Sequence, residues 1–168
     1  GVEASVGMFQ MLQWGDLLDG TLFAPEIGSQ WARCGDASVA GARLSFHNDG
    51  NVSRPWPLAN VMGAVARVSL TGKSHGPEQA ISMTEALRAV TINPAMTLRR
   101  DTEVGSLEVG KFADFVELSA DPYEVDPVHL IDEVTVRGTW MAGGRIDLDA
   151  FIATVSAVDP SIHHAALR

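Results

Sequence analysis

The sequence predicts a mixed α/β fold, and three stretches carry that prediction. Arg43 to His47 is a short apolar run that stops at a polar cluster, His47, Asn48 and Asp49, as a strand does when its chain turns towards a helix. Pro55 and Pro57 then set a helix start, because proline is tolerated in a first turn. Leu58, Val61, Met62, Val65 and Ala66 recur at helical spacing after them, which gives an amphipathic helix over Leu58 to Leu70. Farther on, Gly143-Gly144 is a hairpin signal between strand-like runs. A helix-rich half is therefore followed by a strand-rich half.

Taken in order, Val2 to Met11 alternates apolar residues (Val2, Ala4, Val6, Met8), with Phe9 and Met11 on the other face. That pattern suits a strand buried on most of its surface, as parallel strands are. Gln10, Gln13, Trp14, Gly15 and Asp16 mark the strand end and a loop, and residues 15 to 38 read as a long loop with a short helix around Gly28 to Arg33. Ala37 to Ala42 reads as a helix end closed by Gly41. Thr71 to Pro77 is a polar loop. Ser82-Met83-Thr84-Glu85 is a capping-box pattern, and Met83, Ala86, Leu87 and Val90 form the buried face of the helix it starts. Pro94 falls where that helix ends or restarts, with one more turn over Ala95 to Arg99. Ala113 to Leu118, Glu133 to Arg137 and Thr139 to Ala142 read as strands. Asp121-Pro122 and Asp126-Pro127 are turn or helix-start signals. Asp147 to Val158 is a terminal helix, capped by Asp147 or Asp149, and Ser161 to Arg168 is a short frayed tail.

Composition narrows the function classes. The 168 residues suffice for one domain with a sizeable core. A net charge of −9 argues against nucleic-acid and anionic-membrane partners, which need clustered Lys and Arg. No apolar run approaches the ~20 residues of a membrane span, and no signal-peptide pattern is visible. Cys34 is the one cysteine, so it forms no internal disulfide and no zinc cluster; it reads as an ordinary small side chain in a loop rather than a reactive thiol. These features fit a reducing cytoplasm. The chain opens inside a strand pattern with no initiator methionine, so it is expected to be part of something longer.

Several stretches together resemble one family. Gly105 to Val116 resembles the "GSLEPGKLADLVVL" segment of the amidohydrolase superfamily. Thr91-Ile92-Asn93-Pro94-Ala95 is similar to its "TINPA" helix end, and Thr139 to Ile146 to its closing "V-x-GGR-V" strand. His47 to Ser53, followed by Pro55-Trp56-Pro57-Leu58, is similar to "HSDGPVSPPDPL" of the amidohydrolase 3 branch, which includes N-substituted formamide deformylases. Trp14-Gly15-Asp16 in a loop after a strand also fits that branch.

The resemblance implies the C-terminal part of a TIM (β/α)8 barrel plus a small β-sandwich portion. Residues 1–100 would supply the last two barrel strands and helices, 101–146 the sandwich portion, and 147–168 a C-terminal helix and tail. Val2 to Phe9 becomes the seventh strand and Arg43 to His47 the eighth. Asp49 takes the place of the eighth-strand aspartate, a metal ligand and catalytic proton carrier. The implied cofactor is a divalent metal, zinc above all. A catalytic zinc typically needs about three protein ligands, and the family's histidine ligands lie on earlier strands, so the metal site in this chain is expected to be incomplete.

The function implied is hydrolysis of a C–N bond in a small-molecule amide or formamide by the full-length protein, with this chain alone inactive. Two alternatives stay open: a non-catalytic scaffold segment that needs a complementary chain, and an inactive ligand-binding relative. The expected partners are the missing N-terminal barrel part and a homo-oligomeric copy. For Asp49 the plain alternative is a turn-stabilising Asp before Gly50. His47 is a ligand or substrate contact, or a side chain packed at a strand end. Trp14 and Asp16 line the substrate pocket or pack their loop. Asp114 is expected to accept backbone amides in the sandwich. His75, His129 and the pair His163-His164 are expected to have no metal role.

Overall fold

The computed structural model describes residues 1–50 and 52–158, with side chains to residue 154. Its first unit is a parallel strand pair, β1 (Glu3–Val6) and β2 (Arg43–Phe46), in register Glu3↔Arg43 to Val6↔Phe46. An Arg43–Glu3 ion pair at 2.6 Å closes one end, and the His47 N–H donates to the Val6 carbonyl at 3.1 Å beyond the other. Three helices connect the strands: α1 (Met8–Leu18), α2 (Pro25–Gly28) and α3 (Cys34–Val39).

The first strand is shorter than its sequence pattern predicts. It ends at Val6, and the apolar residues after Gly7 are helical: Met8, Phe9, Met11 and Leu12 are all buried on α1. Alternation over residues 2–8 and helical spacing over 8–12 share Met8, so the pattern carried the strand too far. Nor is β1 buried on most of its surface; its residues alternate between exposed and half-buried. Trp14, Gly15 and Asp16 consequently lie on a helix and not in a loop. The 15–38 stretch holds the end of α1 and two short helices, with Pro25 opening α2. Cys34 is the buried first residue of α3, not a loop side chain.

After β2 comes α4 (Pro57–Ala66), which stops four residues before Leu70 because Arg67 adopts the left-handed conformation at φ 54°. A 3₁₀ turn at Pro77–Gln79 leads to α5 (Met83–Ala89), whose Ser82–Glu85 capping box forms as expected. The next helix, α6 (Ile92–Thr97), contains Pro94 at its third position, where the proline costs no intrahelical donor. The core is shared by α1 (Met8, Met11, Leu12), β2 (Leu44), α4 (Val61, Met62, Ala64), α5 (Ala86, Ala89) and α7 (Leu130–Glu133).

The later half forms a three-stranded antiparallel sheet in the order β3 (Phe115–Leu118), β4 (Val136–Met141), β5 (Gly144–Arg145). One strand replaces the two expected around Gly138. The Trp140 ring lies over Gly138, 2.6 Å from where a Cβ would sit, so glycine lets the strand run through. Asp114 accepts from the Ala142 N–H at 2.7 Å, as the sequence predicts. Phe115 and Trp140 stack at 4.8 Å. The helix α8 (Leu148–Val158) follows, with Asp147 accepting from the Ala150 N–H. His163, His164 and the expected frayed tail lie outside the described residues. No helix among the described residues is long and apolar enough to cross a membrane.

Candidate functional site

The carboxyl end of the parallel pair carries the candidate site. At the end of β2 the chain presents His47, Asn48 and Asp49. His47 Nδ1 lies 2.8 Å from Ser5 Oγ of β1, so this ring is fastened across the two strands. Asp49 is exposed, and its backbone is left-handed (φ 58°), as is that of Gly50 (φ 63°). The Asp49 carbonyl accepts from the Val52 N–H at 3.2 Å, which closes the turn.

Three polar side chains hold this turn from behind. Asn60, buried on α4, donates from Nδ2 to Asn48 Oδ1 at 2.8 Å. Asn48 Nδ2 donates to Ser53 Oγ at 3.1 Å, and Ser53 Oγ donates back to the Asn48 carbonyl at 3.2 Å. The loop bearing Asp49 is thus stapled to itself and to the first turns of α4. The Asn60 Oδ1 atom is buried with no hydrogen-bond partner among the described residues. A cavity of about 140 Å³ adjoins the loop. Phe9, Leu12, Trp56, Ala59 and Leu70 form its apolar walls. Gln13, Asn48, Ser53 and Arg54 supply its polar groups, and the Arg54 guanidinium carbon stands 3.8 Å from the centre of the Trp56 ring.

The other sequence-predicted candidates lie apart from the turn. Trp14 is on α1, edge-on to the cavity residue Phe9 at 5.9 Å, but does not itself line the cavity. Asp16 faces a separate network. Its carboxylate accepts from Thr71 Oγ1 at 2.5 Å and meets His75 Nε2 at 2.7 Å. These hydrogen bonds, the Thr71 one foremost, hold its pKa well below the usual carboxylate range.

His75 is a polar centre that sequence reasoning missed. Its Nδ1 lies 2.8 Å from Asp19 Oδ2, so both ring nitrogens meet carboxylates, and the ring is buried. It packs so close to Gly15 that a Cβ there would come within 2.8 Å of the ring. Asp16 lies in the last turn of α1 and Asp19 is its extended C-cap, so no helical spacing pairs them in the sequence. Arg67, also missed, is fully buried and donates to five backbone carbonyls. Among the described residues no group of three or more His, Cys, Asp or Glu could hold a metal ion.

Comparison with known proteins adds to this geometry. The model of a family described as "Amidohydrolase family" matches residues 1–146. An N-substituted formamide deformylase from Arthrobacter pascens is 39% identical over 104 residues, covering 62% of this chain and 19% of that protein. An imidazolonepropionase from Bacteroides fragilis is 42% identical over 114 residues, covering 68% of this chain and 25% of that protein. The chain thus spans a quarter or less of the length of these two relatives. A solved amidohydrolase from Thermotoga maritima overlays 65% of this chain and 24% of its own at 19% identity, with a TM-score of 0.49.

Proposed function

The chain belongs to the amidohydrolase family, and from that premise we propose that it is the C-terminal part of a metal-dependent hydrolase acting on C–N bonds of amides or formamides. In this reading residues 1–100 close a (β/α)8 barrel with β1 and β2, 101–146 contribute β3 to β5 to a β-sandwich, and 147–168 form a C-terminal helix and tail. The observation that carries the proposal is the placement of Asp49 at the carboxyl end of a parallel strand, where α/β enzymes gather their chemistry.

The described residues of this chain do not by themselves fit a catalytic zinc site, which takes about three protein ligands and an open position. Asp49 offers one carboxylate, and His47 has its Nδ1 engaged by Ser5. The remaining ligands of the proposed site belong to parts of the protein outside this chain. A divalent metal, when bound, lowers the pKa of its water towards ~7. Asp49 is the group that would carry protons. It would accept one from the attacking water and return it to the leaving nitrogen. The turn staple formed by Asn48, Ser53 and Asn60 holds the loop whose backbone carries that carboxylate.

The test is Asp49→Ala in the full-length protein. The exposed side chain makes the substitution compatible with folding. Turnover of amide or formamide substrates is expected to fall by at least ~100-fold, the usual scale for loss of a general acid–base group. Unchanged turnover with metal still bound would remove Asp49 from the mechanism. Trp14 would support the pocket through Phe9, so Trp14→Ala is expected to act on KM more than on kcat.

A further inference from the structure

The chain contains two Asp-Gly steps, Asp19-Gly20 and Asp49-Gly50. An aspartate followed by glycine carries a latent reaction. The glycine nitrogen, with no Cβ beside it, attacks the side-chain carboxyl carbon of the aspartate. The amide hydrogen leaves with one carboxyl oxygen and its proton as water, and a five-membered succinimide forms. Water then opens the ring at either carbonyl. Opening at the side-chain carbonyl restores aspartate. Opening at the main-chain carbonyl gives isoaspartate, with no net change of mass or oxidation state.

The fold treats the two steps differently. Asp19 is the extended C-cap of α1. Its Oδ2 lies 2.8 Å from His75 Nδ1, and its side chain is 17% exposed. The Gly20 N–H donates to the Phe23 carbonyl at 2.9 Å. Both reacting groups are thus engaged, and conversion there first requires breaking these contacts. Asp49 and Gly50 are exposed, and a Cβ placed on Gly50 would meet nothing within 4 Å. Neither the Asp49 carboxylate nor the Gly50 N–H has a partner among the described residues.

We propose that Asp49-Gly50 is a self-modification site, at which the folded protein converts Asp49 to isoaspartate when its carboxylate holds no metal, while the fold protects Asp19-Gly20. The product differs in shape. Its peptide link runs through the former side chain, so the turn gains one main-chain atom. Its carboxylate sits directly on Cα, one carbon closer to the backbone than that of Asp49. Loss of turnover by this route rests on the hydrolase reading above; the conversion itself does not.

The experiment ages the full-length protein, stripped of metal by a chelator, at neutral pH beside the same protein unfolded in urea. Isoaspartate is counted with an isoaspartyl methyltransferase, which esterifies it and not aspartate, and located by peptide mapping. In the folded protein it is expected to form at position 49 at least about tenfold faster than at position 19. In urea the two rates should converge, since only the local sequences remain. Asp49→Glu, whose longer side chain does not close the five-membered ring, should remove the signal at 49 and leave that at 19. Absence of isoaspartate at 49, or equal rates at the two positions in the folded protein, would overturn the proposal. So would the same gap persisting in urea, which would trace it to local sequence and not to the fold. Turnover measured after the metal is restored separates the two readings. Isoaspartate at 49 with turnover intact keeps the modification and defeats the role assigned to Asp49. Turnover lost on ageing with no isoaspartate overturns the modification and leaves that role standing.

Discussion

Replacing Arg67 with Met should be the most destabilising conservative-volume change in the first half of the chain. Arg67 is 0% exposed. Its Nε donates to the carbonyls of His75 (3.0 Å) and Gly76 (3.1 Å), and both bonds are buried. Its terminal nitrogens reach Trp31 (2.8 Å), Ala32 (3.1 Å) and Ser29 (3.4 Å) in part-buried positions. Each buried acceptor left without a donor costs roughly 1–3 kcal/mol. The two fully buried carbonyls therefore set a loss of about 2–6 kcal/mol, while water can re-satisfy the part-buried ones. Removing a guanidinium whose burial lowers its own pKa offsets part of that loss. The expected net is about 3 kcal/mol, a large share of the roughly 5–15 kcal/mol that holds a typical domain. Urea denaturation of the full-length protein, followed by tryptophan fluorescence, reads this as a lower midpoint at unchanged slope. Arg99→Met is the control. It has the same left-handed backbone (φ 57°) but an exposed side chain, and should change little. A shift below about 1 kcal/mol in Arg67→Met would show that the five carbonyls do not depend on it.

Three further outcomes follow from the same contacts. Ser82→Ala removes the hydroxyl that accepts from the Glu85 N–H and should cost about 1 kcal/mol, measured by the same denaturation midpoint. Burial pushes the Cys34 thiol up to about 11, so it should resist a thiol reagent at pH 8 in the folded protein and react once urea unfolds it; fast labelling of the native state would contradict its place in the core. Asp16 has a folded pKa below its unfolded one, so its stabilisation is present above about pH 4 and is lost as pH falls through the lower folded value. Asp16→Asn should therefore be less stable than wild type at pH 7, with the gap narrowing on acidification.

The sequence signalled elements wherever one local rule acted alone. The Ser82–Glu85 capping box and the strand at Arg43 each rest on residues adjacent in the chain and are present, as is the hairpin signalled by Gly143-Gly144, although its turn is Ala142-Gly143 and Gly144 already pairs with Met141. It failed where two periodicities overlapped. Met8 served both the strand alternation and the helix face, and the strand reading absorbed the first turn of α1. The position of Asp49 at a strand end was legible because the apolar run, the polar cluster and the prolines come in sequence. The Asn60–Asn48 bond was not, because it joins residues twelve apart through a side-chain geometry that no spacing rule encodes. His75 and Arg67 were hidden for a related reason. A loop histidine and an arginine ending a helix are ordinary on the page, and only the fold brings Asp19 to one and five carbonyls to the other.

The two readings of Asp49, turn former and proton carrier, are not rivals once the backbone is known. Asp49 and Gly50 both have positive φ, 58° and 63°, so the turn needs two successive left-handed residues. Glycine meets that need without strain, whereas a residue with a Cβ costs roughly 1–2 kcal/mol there, less for Asp and Asn than for others. A turn selected for ease alone would be served by glycine or asparagine at both positions. Asp49 does not hold the loop shut by its side chain either; the closing hydrogen bonds belong to Asn48 and Ser53, and the Asp49 bond to Val52 uses the backbone carbonyl. The carboxylate is thus free of the turn's construction while the turn holds it at the strand end. Left-handed backbone is shared by Ala32, Arg67, Arg99 and Ala142, so the proposed chemistry of Asp49 rests on its place at the strand end and not on its φ. The Asn60 side chain behind it, buried on α4, ties that position to the core rather than to the loop.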